Sequence, residues 1–217
     1  MFPLYIGVAP FALVYGSLSA SLGHPLTESM GLSLLVFAGA SQIAFIQMQS
    51  DGAGTIVTIL TALAINSRML LYSLALSPRF QSLSLVRRSL YAYLLTDQAF
   101  VVSSNAFEKS SHWNFKAQGY FYLGAGISLW FLWQTMASLG WWLGLWIPDN
   151  LNLDFFIPLT FLALASSHLA DPRRRKVFIG AGLLALVSED FPYHLGLLFS
   201  MVVATAFGWW LERRQNV

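Results

Sequence analysis

The sequence predicts an all-α fold, a polytopic transmembrane helix bundle with about seven or eight hydrophobic segments, some of them broken or re-entrant. The first observation is compositional. Among 217 residues, 56% are apolar and only 10% are charged, whereas soluble domains carry about 25% charged residues. The second is the distribution of charge, because residues 1–27, 29–50, 118–148 and 191–211 contain no Asp, Glu, Lys or Arg. Each stretch reaches the roughly 20 residues that a bilayer-spanning helix needs.

The hydrophobic segments follow one another along the whole chain, and we expect them to form a single integral membrane domain, residues 1–217. The first lacks a basic leading region and a small-residue cleavage site, so it predicts a retained span rather than a signal peptide. The fifth is long enough for a tilted helix or for a helix with a re-entrant piece, and the seventh is too short to span unbroken. The segments are Phe2–Leu22, Ser29–Gln49, Gly54–Ser77, Ser89–Phe107, Gln118–Pro148, Phe155–Ala170, Val177–Ser188 and Phe191–Leu211.

Three basic clusters bear on topology. They are Arg79 with Arg87 and Arg88, the run 173–176, and Arg213 with Arg214. The positive-inside rule would place all three in the cytoplasm, but three segments separate the first cluster from the second. Either the fifth segment crosses twice, or one segment is re-entrant, or one cluster lies outside. The sequence leaves these alternatives open.

Several classes of function are excluded or disfavoured. The chain has no cysteine, which rules out disulfides, thiolate metal sites and cysteine nucleophiles. Its four histidines lack metal-ligand spacing, and no G-x-S-x-G or H-E-x-x-H motif is present. We therefore expect no enzyme, no metal and no cofactor. The formal charge of only +2 gives no reason to expect nucleic acid as a partner.

Arg68 is the most informative residue, because it is the only charged residue of the third segment and lies near its middle. A charge at that depth costs roughly 2.5–3.5 kcal/mol on insertion scales and usually faces the protein interior or a water cavity. The functional interpretation is a site for an anion or carboxylate; the alternatives are a structural ion pair or a snorkelling side chain. Asn66 and Tyr72 flank Arg68, and Tyr72 shares its helical face.

Asp97 is the natural charge partner of Arg68. It lies within the fourth segment, between Thr96 and Gln98. It would neutralise Arg68, bind a substrate ammonium group or carry a coupling proton. A static salt bridge is the structural alternative.

A run of small residues forms the third feature. Gly39, Ala40 and Ser41 precede Gln42 at the centre of the second segment. Such a run permits either tight helix packing or an unwound helix whose amides meet a substrate carboxylate, as in transporters with discontinuous helices. Gln42 favours the site interpretation, because a buried amide needs a partner.

The fifth segment carries two packing signals. Trp141, Trp142 and Trp146 near its end are typical of an interfacial aromatic belt. Gly140 and Gly144 form a small-xxx-small pair, which predicts close approach of another helix.

Four motifs, taken together, resemble the AzlC family. They are Pro10–Gly16, Leu35–Gln42 (close to L-V-F-A-G-A-S-Q), Asn66–Tyr72 (N-x-R-x-x-x-Y) and Leu95–Phe100 (similar to T-D-E-x-F). Their order and spacing agree with the family along the chain. Gln98 stands where the family often has Glu, so the second acid of that motif is missing here.

The resemblance implies a multi-pass protein of the bacterial plasma (inner) membrane that exports neutral, branched-chain amino acids such as valine, leucine and isoleucine. It also implies a small AzlD-like membrane partner. We expect proton coupling through Asp97 and a substrate site formed by Gly39, Ala40, Ser41, Gln42, Asn66, Arg68 and Tyr72. Phe11, Phe37 and Phe45 would surround the aliphatic side chain. The alternatives are a non-transporting accessory subunit, in which Arg68 and Asp97 are a structural pair, and a channel.

Overall fold

A computed structural model describes residues 2–110, 112–146, 172–188, 191 and 195–213. Every regular element in these residues is an α-helix, as predicted. The sixth predicted segment, Phe155–Ala170, lies outside the described residues. The helices are α1 Phe2–Ser21, α2 Leu26–Leu35, α3 Gly39–Ser50, α4 Thr55–Asn66, α5 Arg68–Phe80, α6 Leu85–Tyr93, α7 Asp97–Lys109, α8 Phe115–Gly144, α9 Pro172–Val187 and α10 Leu195–Arg213.

The chain divides into two compact units. The first contains Met1–Ile46 and Ile65–Leu151, and the second contains Gln47–Ala64 and Asn152–Val217. In the first unit, α1, α2, α5 and α7 all pack against α8. The 30-residue α8 is therefore the central helix of that unit.

Small residues hold α1 and α8 together. A Cβ atom built on Gly16 would overlap the carbonyl oxygen of Ala137, and one built on Gly140 would overlap that of Leu13. A Cβ on Gly144 would lie 2.7 Å from the Ser17 carbonyl oxygen, and the Ser17 hydroxyl donates to the Gly140 carbonyl over 2.9 Å. The close approach predicted from the Gly140–Gly144 pair is confirmed, and Gly16 is its counterpart on α1.

Two predicted segments are interrupted in the structure. The second segment is two helices, α2 and α3, separated by the non-helical residues 36–38. The fourth is likewise divided into α6 and α7 by residues 94–96, and there the Thr96 hydroxyl accepts from the Ala99 amide over 3.2 Å and begins a new helix. Asp97, within the predicted fourth segment, is therefore the first residue of a new helix, α7.

The third segment is irregular only locally. The regular α-helical pattern is interrupted at Ser67, although the Ser67 backbone stays in the right-handed helical region. The backbone N–H of Leu70 donates to the Ser67 carbonyl over 3.0 Å, which is the hydrogen bond of a tighter turn. Arg68 therefore follows a local distortion in a helical stretch that runs from Thr55 to Phe80.

Two glycines end helices with a left-handed residue. Gly23 has φ 80° after α1, and Gly52 has φ 75° after α3. After α3, the Ala53 amide donates to the Met48 carbonyl over 2.9 Å, which is the hydrogen bond of a Schellman cap. Since a left-handed conformation is strained for residues with a Cβ atom, these turns favour glycine.

Within the second unit, α9 packs against α10. A Cβ on Gly208 would lie 3.5 Å from the Val177 side chain, an ordinary contact. The Ser188 hydroxyl, just after α9, donates to the Gly196 carbonyl over 3.0 Å near the start of α10. The helices of the predicted seventh and eighth segments thus form a packed pair.

One helical stretch in the described part of the chain is both long and apolar enough to cross a bilayer, namely Thr55–Phe80 with 26 residues. Tyr5–Ser21 and Phe199–Leu211 are apolar but shorter. The all-α fold is confirmed, whereas the number of membrane crossings stays a prediction.

Candidate functional site

An ion pair joins the two charges that the sequence analysis singled out. The Arg68 Nη2 atom lies 2.9 Å from the Asp97 Oδ2 atom. The side chains are 40% and 34% exposed, so this pair is not sealed in the core. Asp97 lies in the first turn of α7, where the helix dipole stabilises a negative charge.

A second contact joins the other predicted polar residues. The Asn66 Nδ2 atom donates to the Ser41 hydroxyl over 3.0 Å. That hydroxyl in turn donates to the Ala38 carbonyl over 2.9 Å. Asn66 is two residues before Arg68, so one short segment of chain contacts the start of α3 on one side and the start of α7 on the other.

The predicted small-residue run forms the first turn of α3. The chain is not helical at residues 36–38, immediately before this run. The backbone N–H of Gln42 donates the first hydrogen bond of the new helix, to the Ala38 carbonyl over 3.1 Å. The amides of Gly39, Ala40 and Ser41 have no carbonyl within α3 to bond. Such a helix start carries partial positive charge and suits an anionic group.

Gln42 is fully buried, yet neither of its amide atoms makes a hydrogen bond to a described residue. The Tyr15 hydroxyl lies close to this amide but donates instead to the Ser29 carbonyl over 2.7 Å. Buried polar groups are nearly always paired. Gln42 Oε1 is therefore an unused acceptor inside the first unit, whereas the Nε2 group faces the Tyr15 hydroxyl.

Three other predicted residues also have a buried polar atom that makes no hydrogen bond to a described residue. Asn66 Oδ1, Arg68 Nε and Asp97 Oδ1 are buried atoms without a hydrogen-bond partner among the described residues. Asn66 and Arg68 each make one contact through another atom, whereas the Asp97 carboxylate contacts both Arg68 and the Tyr72 hydroxyl. The unused hydrogen-bonding capacity thus includes an acceptor on Asn66 and a cationic donor on Arg68.

Tyr72 joins the ion pair from the next turn of α5. Its ring stacks on Phe100 with a centroid distance of 4.4 Å and an interplanar angle of 14°, and its hydroxyl approaches the Asp97 carboxylate. The aromatic ring therefore holds α5 against α7 at the level of the two charges.

Trp133 is a site residue that sequence reasoning missed. It is only 5% exposed, and a Cβ on Gly39 would overlap its indole ring. Its Nε1 atom donates to the Ser33 hydroxyl over 3.0 Å. Tyr15 stacks on its ring at 6.0 Å between centroids. A sequence pattern could have identified Trp133. The small residues Gly126, Ala137 and Gly140 lie on the same face of α8 as Trp133.

The tryptophans near the end of α8 behave differently. Trp142 and Trp146 are 55% and 84% exposed, as expected of an interfacial belt, while the Trp141 Nε1 atom donates to the His24 carbonyl over 2.9 Å. Only the exposed side chains are free to meet a lipid interface.

Tyr93 connects the two helix breaks and was also missed. Its hydroxyl donates to the Leu34 carbonyl at the end of α2 over 2.8 Å, and it accepts from Trp130 Nε1 over 2.9 Å. Its ring lies 6.3 Å from that of Phe37. The end of α6 therefore contacts the end of α2 and the interruption that follows it.

The three predicted phenylalanines are not equivalent. Phe11 and Phe37 are buried, and Phe45 is half-buried. Phe11 packs edge-on against Trp133 at 5.8 Å between ring centroids, which places it beside Gly39. Phe37 lies instead against Tyr93. Phe11 therefore reaches the start of α3 by packing on Trp133, whereas a common pocket formed by all three rings stays a prediction.

The comparisons with known proteins agree with the family resemblance. Residues 3–147, which include every predicted site residue, match the family described as AzlC protein. The chain belongs to the AzlC family. An uncharacterized membrane protein of Archaeoglobus fulgidus is 30% identical to this AzlC chain over 213 residues, covering 94% of this chain and 86% of that protein. Inner membrane protein YgaZ of Escherichia coli is 25% identical over 212 residues, covering 95% and 82% of the two chains.

A more partial relative is an uncharacterized membrane protein of Helicobacter pylori strain J99, which is 27% identical over 99 residues, 46% of this chain and 43% of that protein. No solved structure matches this AzlC chain. The relatives are named as membrane proteins, and their names do not mention a substrate.

Proposed function

We propose that this AzlC chain is a multi-pass carrier of the bacterial inner membrane that exports neutral, branched-chain amino acids together with a small AzlD-like partner. The observation that carries the proposal is the unused hydrogen-bonding capacity around the Arg68–Asp97 pair. The family membership and the name of the Escherichia coli relative support the membrane location.

A neutral amino acid has three groups that a site must satisfy, and the residues here supply each. Its carboxylate is suited to the Arg68 guanidinium and the open amides at the start of α3. Its ammonium group requires acceptors, which Gln42 Oε1 and Asn66 Oδ1 offer as buried, unpaired oxygens. Its aliphatic side chain is suited to aromatic walls such as Phe11 and Trp133.

Asp97 is then available for proton coupling. Its carboxylate pairs with Arg68. A proton on Asp97 removes the negative charge that neutralises Arg68, and the guanidinium then turns to the substrate carboxylate as its counter-ion. Because proton and substrate then bind together, they cross the membrane in the same direction, and export requires an outward substrate gradient that exceeds the opposing proton gradient. The exchange keeps the mid-segment arginine neutralised throughout.

The test is substrate counterflow in proteoliposomes that contain this chain and its AzlD-like partner. We expect internal unlabelled valine to drive accumulation of labelled valine, whereas internal glycine, which lacks the aliphatic side chain, should drive much less. A channel gives no counterflow, because it has no alternating site. Absence of counterflow for valine, leucine and isoleucine with the partner present would contradict the proposal.

A second candidate is favoured by the ion pair itself. If the chain is an accessory subunit, the 2.9 Å contact between Arg68 and Asp97 is purely structural. Exchanging the two charges, with Arg68→Asp and Asp97→Arg in one chain, then preserves the function of the complex. A substrate site that depends on the position of the guanidinium loses transport under the same exchange.

A further inference from the structure

A cavity apart from the Arg68–Asp97 pair opens between α5, α6 and α8. It has a volume of about 90 Å³ and admits only part of a ligand. Its deeper walls are buried side chains, namely Leu76 and Phe80 of α5, Leu95 after α6 and Tyr122 of α8. Apolar walls of this kind accept a hydrocarbon chain.

The mouth of the cavity is positively charged. Arg88 is the one charged residue among those lining it, and it is exposed. Its Nε atom donates to the Leu83 carbonyl over 3.1 Å, which fixes the guanidinium beside the turn between α5 and α6. The two Nη groups make no hydrogen bond to a described residue, and their fork geometry suits a phosphate.

The location of the cavity suits a membrane boundary. Phe80 lines the cavity and is also the last residue of Thr55–Phe80, the described stretch long enough to cross a bilayer. The chain leaves the apolar stretch there, and the basic residues Arg87 and Arg88 follow after a short turn. Lipid headgroups border the apolar region of a bilayer at such a point.

We infer that this cavity binds an anionic glycerophospholipid, with its phosphate on Arg88 and the upper part of one acyl chain against Leu76, Phe80 and Tyr122. A zwitterionic amino acid fits less well, because the lining offers no carboxylate for an ammonium group. The inference uses none of the transport residues and stands whether or not the chain carries amino acids.

The test compares lipids on the purified full chain in detergent. Native mass spectrometry, with thermal unfolding in parallel, is used to titrate phosphatidylglycerol and phosphatidylcholine with identical acyl chains. We expect phosphatidylglycerol to bind about fivefold more tightly, the gain expected from one arginine near an anionic headgroup. Arg88→Gln should reduce it to the level of phosphatidylcholine. The matched control is Arg175→Gln, an exposed arginine of α9, which should leave the preference intact.

Two further experiments test the contribution of the acyl chain and the contribution of the headgroup separately. Ala92→Trp fills the cavity while keeping Arg88, and it should weaken phosphatidylglycerol binding with the helical circular dichroism unchanged. Glycerol phosphate and valine at matched concentration should neither stabilise the chain nor displace the lipid. Equal binding of the two lipids, a wild-type preference in Arg88→Gln, undiminished lipid binding in a folded Ala92→Trp variant, or displacement by valine would each overturn the inference.

Discussion

The guanidinium of Arg68 and the carboxylate of Asp97 meet at 2.9 Å, and each belongs to the first residue of a helix. Asp97 benefits from the start of α7, whereas Arg68 has no such help from the backbone and depends on its partner. The pair therefore connects two interrupted regions of the chain. Any event that removes the charge of Asp97 leaves Arg68 in need of another anion.

Replacing Asp97 by Asn tests the coupling role. The Asn side chain keeps its size but cannot lose a proton, so the pH dependence of valine transport should disappear while valine binding persists. Transport against pH and equilibrium binding of labelled valine measure the two effects. Asp51→Asn, at an exposed carboxylate, is the control and should retain the parental profile. Unchanged proton-driven transport in Asp97→Asn would remove Asp97 from the coupling role.

Replacing Gln42 by Leu should separate stability from function. The change removes two buried polar atoms that have no partner among the described residues, so thermal stability should stay the same or rise. Transport should fall, because the ammonium group loses an acceptor. Unfolding temperature and the KM for valine are the measurements. A marked loss of stability would show that Gln42 is a structural residue rather than a binding one.

Gly39→Ala should destabilise the first unit, because the new Cβ would overlap the Trp133 ring. Overpacking of this kind costs about 1–3 kcal/mol. Gly31→Ala is the matched control within α2, where a Cβ would meet nothing within 4 Å, and there the better helix former should stabilise by up to about 1 kcal/mol. Chemical or thermal unfolding of the two variants gives the comparison. Equal stability of both would mean that Gly39 and Trp133 are not tightly packed.

The partner prediction concerns assembly. Co-expression with the small AzlD-like protein should yield a complex that survives purification in mild detergent and transports valine, whereas the chain alone should not transport. Size-exclusion chromatography with counterflow measures both properties. A stable and transport-active preparation of this chain by itself would contradict the prediction.

The polar residues of the site could be predicted from sequence because burying them is costly. An arginine in the middle of an apolar segment needs a counter-charge, and Asp97 was the available candidate in the neighbouring segment. The contact between Ser41 and Asn66 was not predicted as a pair, although both residues were expected in the site. Their meeting depends on where α3 begins.

The exact helix breaks were harder to predict for a physical reason. Val36 and Phe37 are apolar and do not themselves end a helix, so the break after Leu35 is set by tertiary packing. The close fit of Gly39 under Trp133 is one such contact. At the second break Thr96 does carry a capping signal, but the apolar residues before it, such as Leu94 and Leu95, mask it. Trp133 itself was missed because composition does not distinguish the buried face of a long helix from the exposed one.

The role of Arg68 as the carboxylate-binding residue is tested most directly by valine counterflow with three variants. Arg68→Lys keeps the charge but loses the planar fork, and transport should fall by about tenfold or more, the cost of one or two charge-assisted hydrogen bonds. Arg87→Lys, at an exposed arginine, should behave as the parent. Arg68→Leu combined with Asp97→Leu should fold, since replacing a paired set of charges by apolar residues is often tolerated, but should give no counterflow. Counterflow at the parental rate in that folded double variant would contradict the account and leave Arg68 and Asp97 as a structural pair.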